Sequence, residues 1–424
     1  MADWTQDLCE TPPPTLSRRT LFAGLGAEIL MLNGVQAMLQ EGHDGHVVVV
    51  IFLRGGMDGL NVVAPYAEDA YYRGRPTVAI ASPKDRRSAG RDRLIDLDGF
   101  FGLHPKLSPL FPMFEAGELA LVHAVGSGDQ TRSHFEAMAS MERGLNSGSG
   151  GAAGWLGRYL ANNPTANTSP LRALALGALM PDSLRGATEA ISVPSLDEFR
   201  LLVPKGLGRE DDVVRLLERE YRAGDDPMAH AGRETLKVLK TLREMTDRKP
   251  KPENGAAYPD SDLGQGLRQV AALMRANVGL QIACLDRGGW DTHVAQGGST
   301  GLQANLVDDL GRSLAAFRKD LGSQWSRMTV VAMTEFGRRV NENSGLGTDH
   351  GRGSAMFVMG GKVRGGRVVA EWPGLEPAQT EDGDLRVTTD YRQVLAEITE
   401  RRLRARSVGT VFPGLQYKPL GLLA

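Results

Sequence analysis

The chain has 424 residues, 41% hydrophobic and 24% charged, proportions that exclude wholesale disorder and a polytopic membrane protein and leave ample length for a full core. Lysine and arginine total 49 against 51 aspartates and glutamates, so no basic excess exists to neutralise a phosphate backbone, and nucleic acid is not an expected partner. The two cysteines, Cys9 ahead of the N-terminal apolar segment and Cys284 inside an apolar run, leave the body of the chain unable to close an internal disulfide.

Residues 16–22 read Leu-Ser-Arg-Arg-Thr-Leu-Phe and precede a moderately apolar stretch from Leu21 to about Leu39, behind a leader containing Pro12-Pro13-Pro14. That order is the order of a twin-arginine export signal, assigned here to residues 1–40. Glu28, Asn33 and Gln36 interrupt the apolar run, which falls short of the roughly 18 clean apolar residues of a bilayer-spanning helix. The expected partner is the twin-arginine export machinery, the expected location periplasmic or secreted, and no integral membrane domain is expected beyond the signal. This route carries folded chains that acquire metal or cofactor before export, which points to metal.

From about residue 45 to 424 the pattern reads as one α/β domain. Val47–Leu53 is a short continuous apolar run, rich in β-branched residues and closed by Arg54-Gly55-Gly56, the signature of a strand buried on both faces. Similar runs recur at Leu119–Ala124, Leu171–Leu176, Val278–Leu285 and Met328–Met333. Helical spacing marks Leu263–Ala276 and Leu302–Leu321 between them, and such alternation predicts a three-layer sandwich around a mostly parallel sheet. Asn146–Gly151 reads as a flexible Gly- and Ser-rich loop, and the charged stretch around 207–260, with Lys249-Pro250-Lys251-Pro252 near its end, as an inserted helical pair forming a solvated cap.

In an open parallel sheet ligands sit beyond the carboxyl ends of the strands, so chemistry is sought just after these runs. Asp58, in Gly55-Gly56-Met57-Asp58-Gly59, suits a hard metal ligand, or alternatively caps the next helix. Ser133 lies at a strand-to-helix turn, where the helix N-terminus favours an alkoxide or a bound anion. The same position makes it an N-cap, with Glu136 three residues on completing a capping box. Asp291 and His293, in Gly289-Trp290-Asp291-Thr292-His293, can turn to one metal ion from an extended loop, and Glu335, Asp349 and His350 follow in later Gly-rich segments. Mixed oxygen and nitrogen donors suit Zn²⁺, Mn²⁺ or Mg²⁺.

The Ser-Arg-Arg signal, Arg54-Gly55-Gly56-Met57-Asp58-Gly59, Arg132-Ser133-His134-Phe135-Glu136, Gly289-Trp290-Asp291-Thr292-His293, Thr334-Glu335-Phe336-Gly337-Arg338 and Gly347-Thr348-Asp349-His350-Gly351 together resemble the bacterial exported family called domain of unknown function 1501, over nearly the whole chain. That family is similar to a distant branch of the alkaline phosphatase and sulfatase superfamily, and the resemblance implies an alkaline phosphatase-like fold with metal at the carboxyl edge of the sheet. Asp58 matches the superfamily's first-strand aspartate, and Ser133 lies near its nucleophile. Asp291 and His293 resemble its Asp-x-x-x-His pair with shorter spacing, and His350 resembles its last ligand. Glu335-Phe336 stands where the superfamily has Asp-His, and Phe336 cannot bind metal, so one ligand of a two-metal site is missing unless Asp349 or another group replaces it.

The function these features imply is metal-dependent hydrolysis of a small anionic phosphate or sulfate ester outside the cytoplasm. Asp58, Asp291, His293 and His350 would hold metal, and Glu335 and Asp349 would be further ligands or support them. Ser133 would attack, with Thr131 as the next candidate, while Arg132 or Arg352 steadied the anion. The rival is a binding or assembly protein that keeps the fold and a structural metal without hydrolysis. A third reading has Trp155, Trp290 and Trp372 stacking on cell-surface polysaccharide. Export is testable directly: replacing Arg18 and Arg19 together by lysine, which offers a different hydrogen-bonding shape, should leave the protein in the cytoplasm, and fractionation showing unchanged export would defeat the assignment.

Overall fold

A computed structural model describes residues 45–424 apart from 146–150, 166, 168, 189, 197–200, 202, 204, 205, 207, 225, 249 and 250. The expected export signal at 1–40, nearly all of the loop expected at 146–151, and Lys249-Pro250 therefore lie outside the described residues. The central sheet contains β1 (Val47–Leu53), β2 (Leu119–Gly126), β3 (Ala173–Leu176), β4 (Ala190–Val193), β5 (Ile282–Arg287), β6 (Met328–Met333), β7 (Ser354–Gly360), β8 (Arg367–Val369) and β9 (Thr389–Asp390). The main helices are α1 (His134–Arg143), α2 (Trp155–Asn162), α3 (Glu210–Ala223), α4 (Pro227–Arg248), α5 (Asp262–Ala276), α6 (Leu302–Leu321) and α7 (Tyr391–Arg401).

β1 is apolar at every position because both of its faces are covered. Val47, Val49, Ile51 and Leu53 enter one core with Leu267 and Val270 of α5 and Leu314 and Phe317 of α6. Val48, Val50 and Phe52 enter the other, with Trp155 and Tyr159 of α2 and Leu395 and Ile398 of α7. The result is a three-layer α/β sandwich, as the alternation of runs predicts. Helices α3 and α4 carry a small core of their own, centred on Val213, Leu217, Tyr221 and Leu236. Val238 and Leu242 of α4 join the core under α5 and α6.

The strands run in the order β8-β2-β7-β6-β1-β5-β3-β4, with β9 also paired to β2. Every described pairing in this sheet is parallel except those of β7, which is antiparallel to both β2 and β6. This one reversal matters for the site. The residues that precede β7 emerge at the edge where the residues following β1, β2, β5 and β6 emerge. A short antiparallel pair, Arg338–Glu342 with Thr348–His350, lies between β6 and β7 in the chain and brings Arg338 opposite His350.

The run at Leu119–Ala124 extends as a strand to Gly126 and that at Leu171–Leu176 begins as one at Ala173, and two larger differences from the sequence reading have local reasons. The run expected to be a strand from Val278 begins as one only at Ile282, because α5 ends on Asn277 in the left-handed region (φ 50°) and Gly279 turns the chain at φ 82°. β7 itself is a buried strand that follows a Gly-rich loop and does not stand out in the sequence. Among the described residues no helix is long and apolar enough to cross a membrane.

Two histidines are built into the interior as neutral rings. His123 accepts the Ala124 amide at Nδ1 (2.7 Å), so its protonated Nε2 donates to the Val63 carbonyl (2.8 Å), and its ring stacks on Phe101. His104 repeats the pattern, accepting from the Lys106 amide (3.1 Å) and donating to the Gly298 carbonyl (3.1 Å). Burial, the largest cause, pushes both down to about 4 from the ordinary 6.5, so the unfolded chain takes up these protons first. Their contribution to stability is therefore complete above pH 6.5 and is lost as pH falls from 6.5 towards 4. Urea titrations between pH 7 and pH 4 should show that decline, and His123→Gln, which does not titrate, should make it shallower; parallel curves would remove His123 as a cause.

Candidate metal centre

The loop after β5 and the strand Thr348–His350 bring Asp291, His293 and His350 together. Asp291 Oδ1 lies 3.0 Å from His293 Nε2 and 3.1 Å from His350 Nε2, and the two Nε2 atoms are 2.9 Å apart. A fourth group, not foreseen as a ligand, joins from the first turn of α1: His134 Nε2 is 3.4 Å from Asp291 Oδ2. The donor atoms of His134, Asp291 and His350 all lie within 4.8 Å of one another. His134 was legible in principle, since it follows β2 as Asp291 follows β5, but at a helix start it reads first as a helix residue.

Behind each imidazole stands an acceptor. His134 Nδ1 faces Glu335 Oε1 (2.7 Å), His293 Nδ1 faces Asp349 Oδ1 (3.1 Å), and His350 Nδ1 faces the Arg132 carbonyl (2.9 Å). Carboxylates and carbonyls only accept, so each Nδ1 carries the hydrogen, and in the neutral form of each ring the Nε2 lone pair is turned towards the others. Glu335 and Asp349 thus sit behind histidines rather than beside Asp291. Glu335, buried, is itself held by the Gly55 amide (2.8 Å) and the Thr334 hydroxyl (2.9 Å). Asp349 also accepts from Asn343 Nδ2 (2.8 Å), and that bond, followed by the one from His293, holds its carboxyl below the usual range.

Arg338, fully buried, anchors the centre. Its guanidinium donates to the carbonyls of Gly55, Gly56, Trp290 and Thr348 and to Asp291 Oδ1 (2.8 Å). Burial works to raise the Asp291 carboxyl, but the hydrogen bond from Arg338 and the Arg338 charge outweigh it and hold it at about 2. Burial, aided by the charge of Arg338, lowers His350. Two glycines are required by close approach. A Cβ on Gly55 (φ 123°) would lie 2.5 Å from the Asp291 amide, and one on Gly347 would lie 2.3 Å from the His293 carbonyl. Phe336 packs its ring 4.9 Å from that of His134 and 4.7 Å from that of His350, a wall beside two donors.

The remaining sequence candidates are placed differently. Asp58 is fully buried in a bidentate pair with Arg75, also fully buried (2.5 and 3.0 Å), and accepts from Gln296 Nε2 (2.7 Å). It does not belong to the His134, Asp291 and His350 group, and its side chain makes no capping bond to the short helix it precedes. Ser133 is exposed and holds the N-cap position of α1, but its hydroxyl makes no capping bond. The capping box does not form because the Glu136 carboxylate accepts the Thr131 hydroxyl instead (2.6 Å). Arg132 is paired with Asp384 (2.8 Å) and Arg352 with Glu381. Trp155 and Trp290 are core residues, buried too deeply to stack on a sugar, and Trp372 packs edge-on against Phe101 and His123.

Fold and site together define a mostly parallel α/β protein whose sheet edge gathers histidine and carboxylate donors. The chain belongs to the family described as protein of unknown function DUF1501, which it matches over residues 46–404. Among solved structures it is similar to the phosphonate monoester hydrolase of Agrobacterium radiobacter, at 11% identity over 88% of this chain and 79% of that one, with a TM-score of 0.29. No curated protein matches the chain in sequence.

The buried Asp58–Arg75 pair yields a stability test. Asp58→Ala strands the guanidinium inside the protein and should cost about 3–5 kcal/mol in urea unfolding. Adding Arg75→Met should recover part of that loss, and a double variant as unstable as the sum of the single changes would show that the two groups are not coupled.

Proposed function

We propose that this chain is an exported metalloprotein that hydrolyses small phosphate or sulfate esters, using the alkaline phosphatase-like fold that its motifs resemble. The observation that carries the metal is the convergence of three Nε2 lone pairs and one carboxylate, each imidazole fixed from behind by an acceptor, as metal-binding histidines are. Donor separations of 2.9–3.4 Å fit groups that share a cation, whose bonds to nitrogen and oxygen are ~2.1 Å. His134, Asp291, His293 and His350 would hold the ion, His134 supplying the donor that Phe336 cannot. Three imidazoles with one carboxylate favour Zn²⁺ or Mn²⁺ over Mg²⁺. When bound, such an ion supplies Lewis-acid stabilisation of the anionic ester.

The chain's own chemistry begins at Ser133, exposed and next to His134 at the start of α1. Its Oγ attacks the phosphorus or sulfur, the ester oxygen leaves with the bonding pair, and the serine proton passes to solvent or to the departing alkoxide; water then cleaves the serine ester. Arg338 keeps Asp291 ionised and in place throughout. Export would follow from Ser17-Arg18-Arg19.

One observation favours the binding-protein reading: Arg132 and Arg352, the cations expected to steady an anion, are already paired with Asp384 and Glu381. Elemental analysis and ester turnover on the purified full chain separate the two. Wild type should hold Zn or Mn and cleave an aryl phosphate or sulfate; His134→Ala and His350→Ala should lose metal; Ser133→Ala should keep metal and lose nearly all turnover. A metal-loaded wild type inert towards both ester classes leaves the binding reading in place. A folded wild type that takes up no metal on dialysis against Zn²⁺ or Mn²⁺ removes the centre itself.

A further inference from the structure

Asp58, Arg75, Gln296, Thr292 and Thr348 form a buried polar network that the donor set does not use. All five side chains are at most 3% exposed. Gln296 is where its branches meet. Its Nε2 donates to Asp58 Oδ2 (2.7 Å), and its Oε1 accepts the hydroxyls of Thr292 (3.0 Å) and Thr348 (2.6 Å). The orientation of the amide follows from its partners, since an ionised carboxylate accepts only and must face the NH₂ group. Thr292 lies between Asp291 and His293, and Thr348 lies two residues before His350. The two threonines therefore fasten to one oxygen the two segments whose imidazoles meet at 2.9 Å. On the far side Asp58 is gripped by Arg75, which also donates to the carbonyls of Arg339 (2.8 Å) and Val340 (2.9 Å) on the strand paired with Thr348–His350.

We propose that Gln296 is a positioning residue that fixes the spacing of His293 and His350, with the Asp58–Arg75 pair as the buried base that holds it; this rests on the metal-centre reading above. In this scheme the aspartate after the first strand serves the centre without touching it. An unsatisfied member of a buried network is costly, so Gln296 has one low-energy arrangement, and both donor segments inherit it. Removing its hydrogen bonds while keeping its volume should leave the fold standing but let the two imidazoles drift apart. Groups that orient metal ligands from behind typically change affinity by about 10- to 100-fold when lost.

The test is Zn²⁺ affinity, by competition with a chelator, alongside the melting temperature of the metal-free full chain, for wild type, Gln296→Met, Thr348→Val, Thr348→Ser and the distant core change Ile51→Val. Gln296→Met and Thr348→Val should weaken Zn²⁺ binding by about 10- to 100-fold. Thr348→Ser, which keeps the hydroxyl, should bind like wild type. Ile51→Val should lower the melting temperature with unchanged affinity. If Gln296→Met does not fold, the Thr348→Val and Thr348→Ser pair decides. Wild-type affinity in Gln296→Met, or in Thr348→Val, overturns the proposal, as does a loss of affinity that tracks melting temperature across all variants, Ile51→Val included. Should wild type itself bind no Zn²⁺, the metal reading fails first and the proposal falls with it, an outcome distinct from normal binding in the variants.

Discussion

The site depends on one buried cation. Arg338 has its guanidinium surrounded by the carbonyls of Gly55, Gly56, Trp290 and Thr348, which belong to three separate excursions of the chain, and by the Asp291 carboxylate. Burying that charge is tolerable only because every direction offers an acceptor, and the carbonyls must stay where they are for it to remain so. The loops after β1 and β5 and the strand before β7 are thereby locked to each other. Gly55 and Gly347 let the backbones approach closely enough for this. Asp291 then points at the histidines as an ionised carboxylate.

Around that anchor the polar groups fall into two shells with different duties. Nε2 atoms and Asp291 face one another, while Glu335, Asp349 and the Arg132 carbonyl stand behind and set the tautomers. Glu335 is buried and Asp349 exposed, so identical roles are filled in quite different surroundings. A carboxylate that hydrogen-bonds Nδ1 also makes the imidazole a better donor at Nε2, so these groups would shape the chemistry of the proposed cation without contacting it.

Much of this was legible in the residues. The runs at Val47–Leu53, Met328–Met333 and Leu302–Leu321 became elements with those bounds, because burial on both faces or one-sided helical periodicity leaves a strong mark. Asp291, His293 and Glu335 follow apolar runs at the carboxyl ends of strands, and His350 lies in a Gly-rich segment soon after, so their positions are marked in the sequence. Asp58 is marked in the same way, yet it is matched to Arg75, and nothing in the sequence pairs those two; only the fold places a guanidinium there. His134 escaped because a histidine opening a helix looks like any other first-turn residue. β7 was the larger omission. Its direction decides why residues preceding a strand reach the edge reached by residues following the others, and periodicity carries no information on direction.

That reversed strand also divides the sheet. The segment β6-β1-β5-β3-β4 is joined to β2 and its neighbours through β7, whose Phe357 pairs with Leu121 on one side and Ala332 on the other. During synthesis β2 emerges early but has no neighbour on that side until the chain has grown past residue 360, so the partnership between the two parts is among the most non-local in the molecule. His134 hangs from the β2 side, whereas Asp291 and His293 hang from the β5 side. A nascent or truncated chain lacking β7 thus has no strand joining the part that carries His134 to the part that carries Asp291 and His293, although Arg54 still reaches Met138 and Glu142 of α1. If the proposed cation binds, it would act as a clasp across the seam and favour the completed sheet over shorter products.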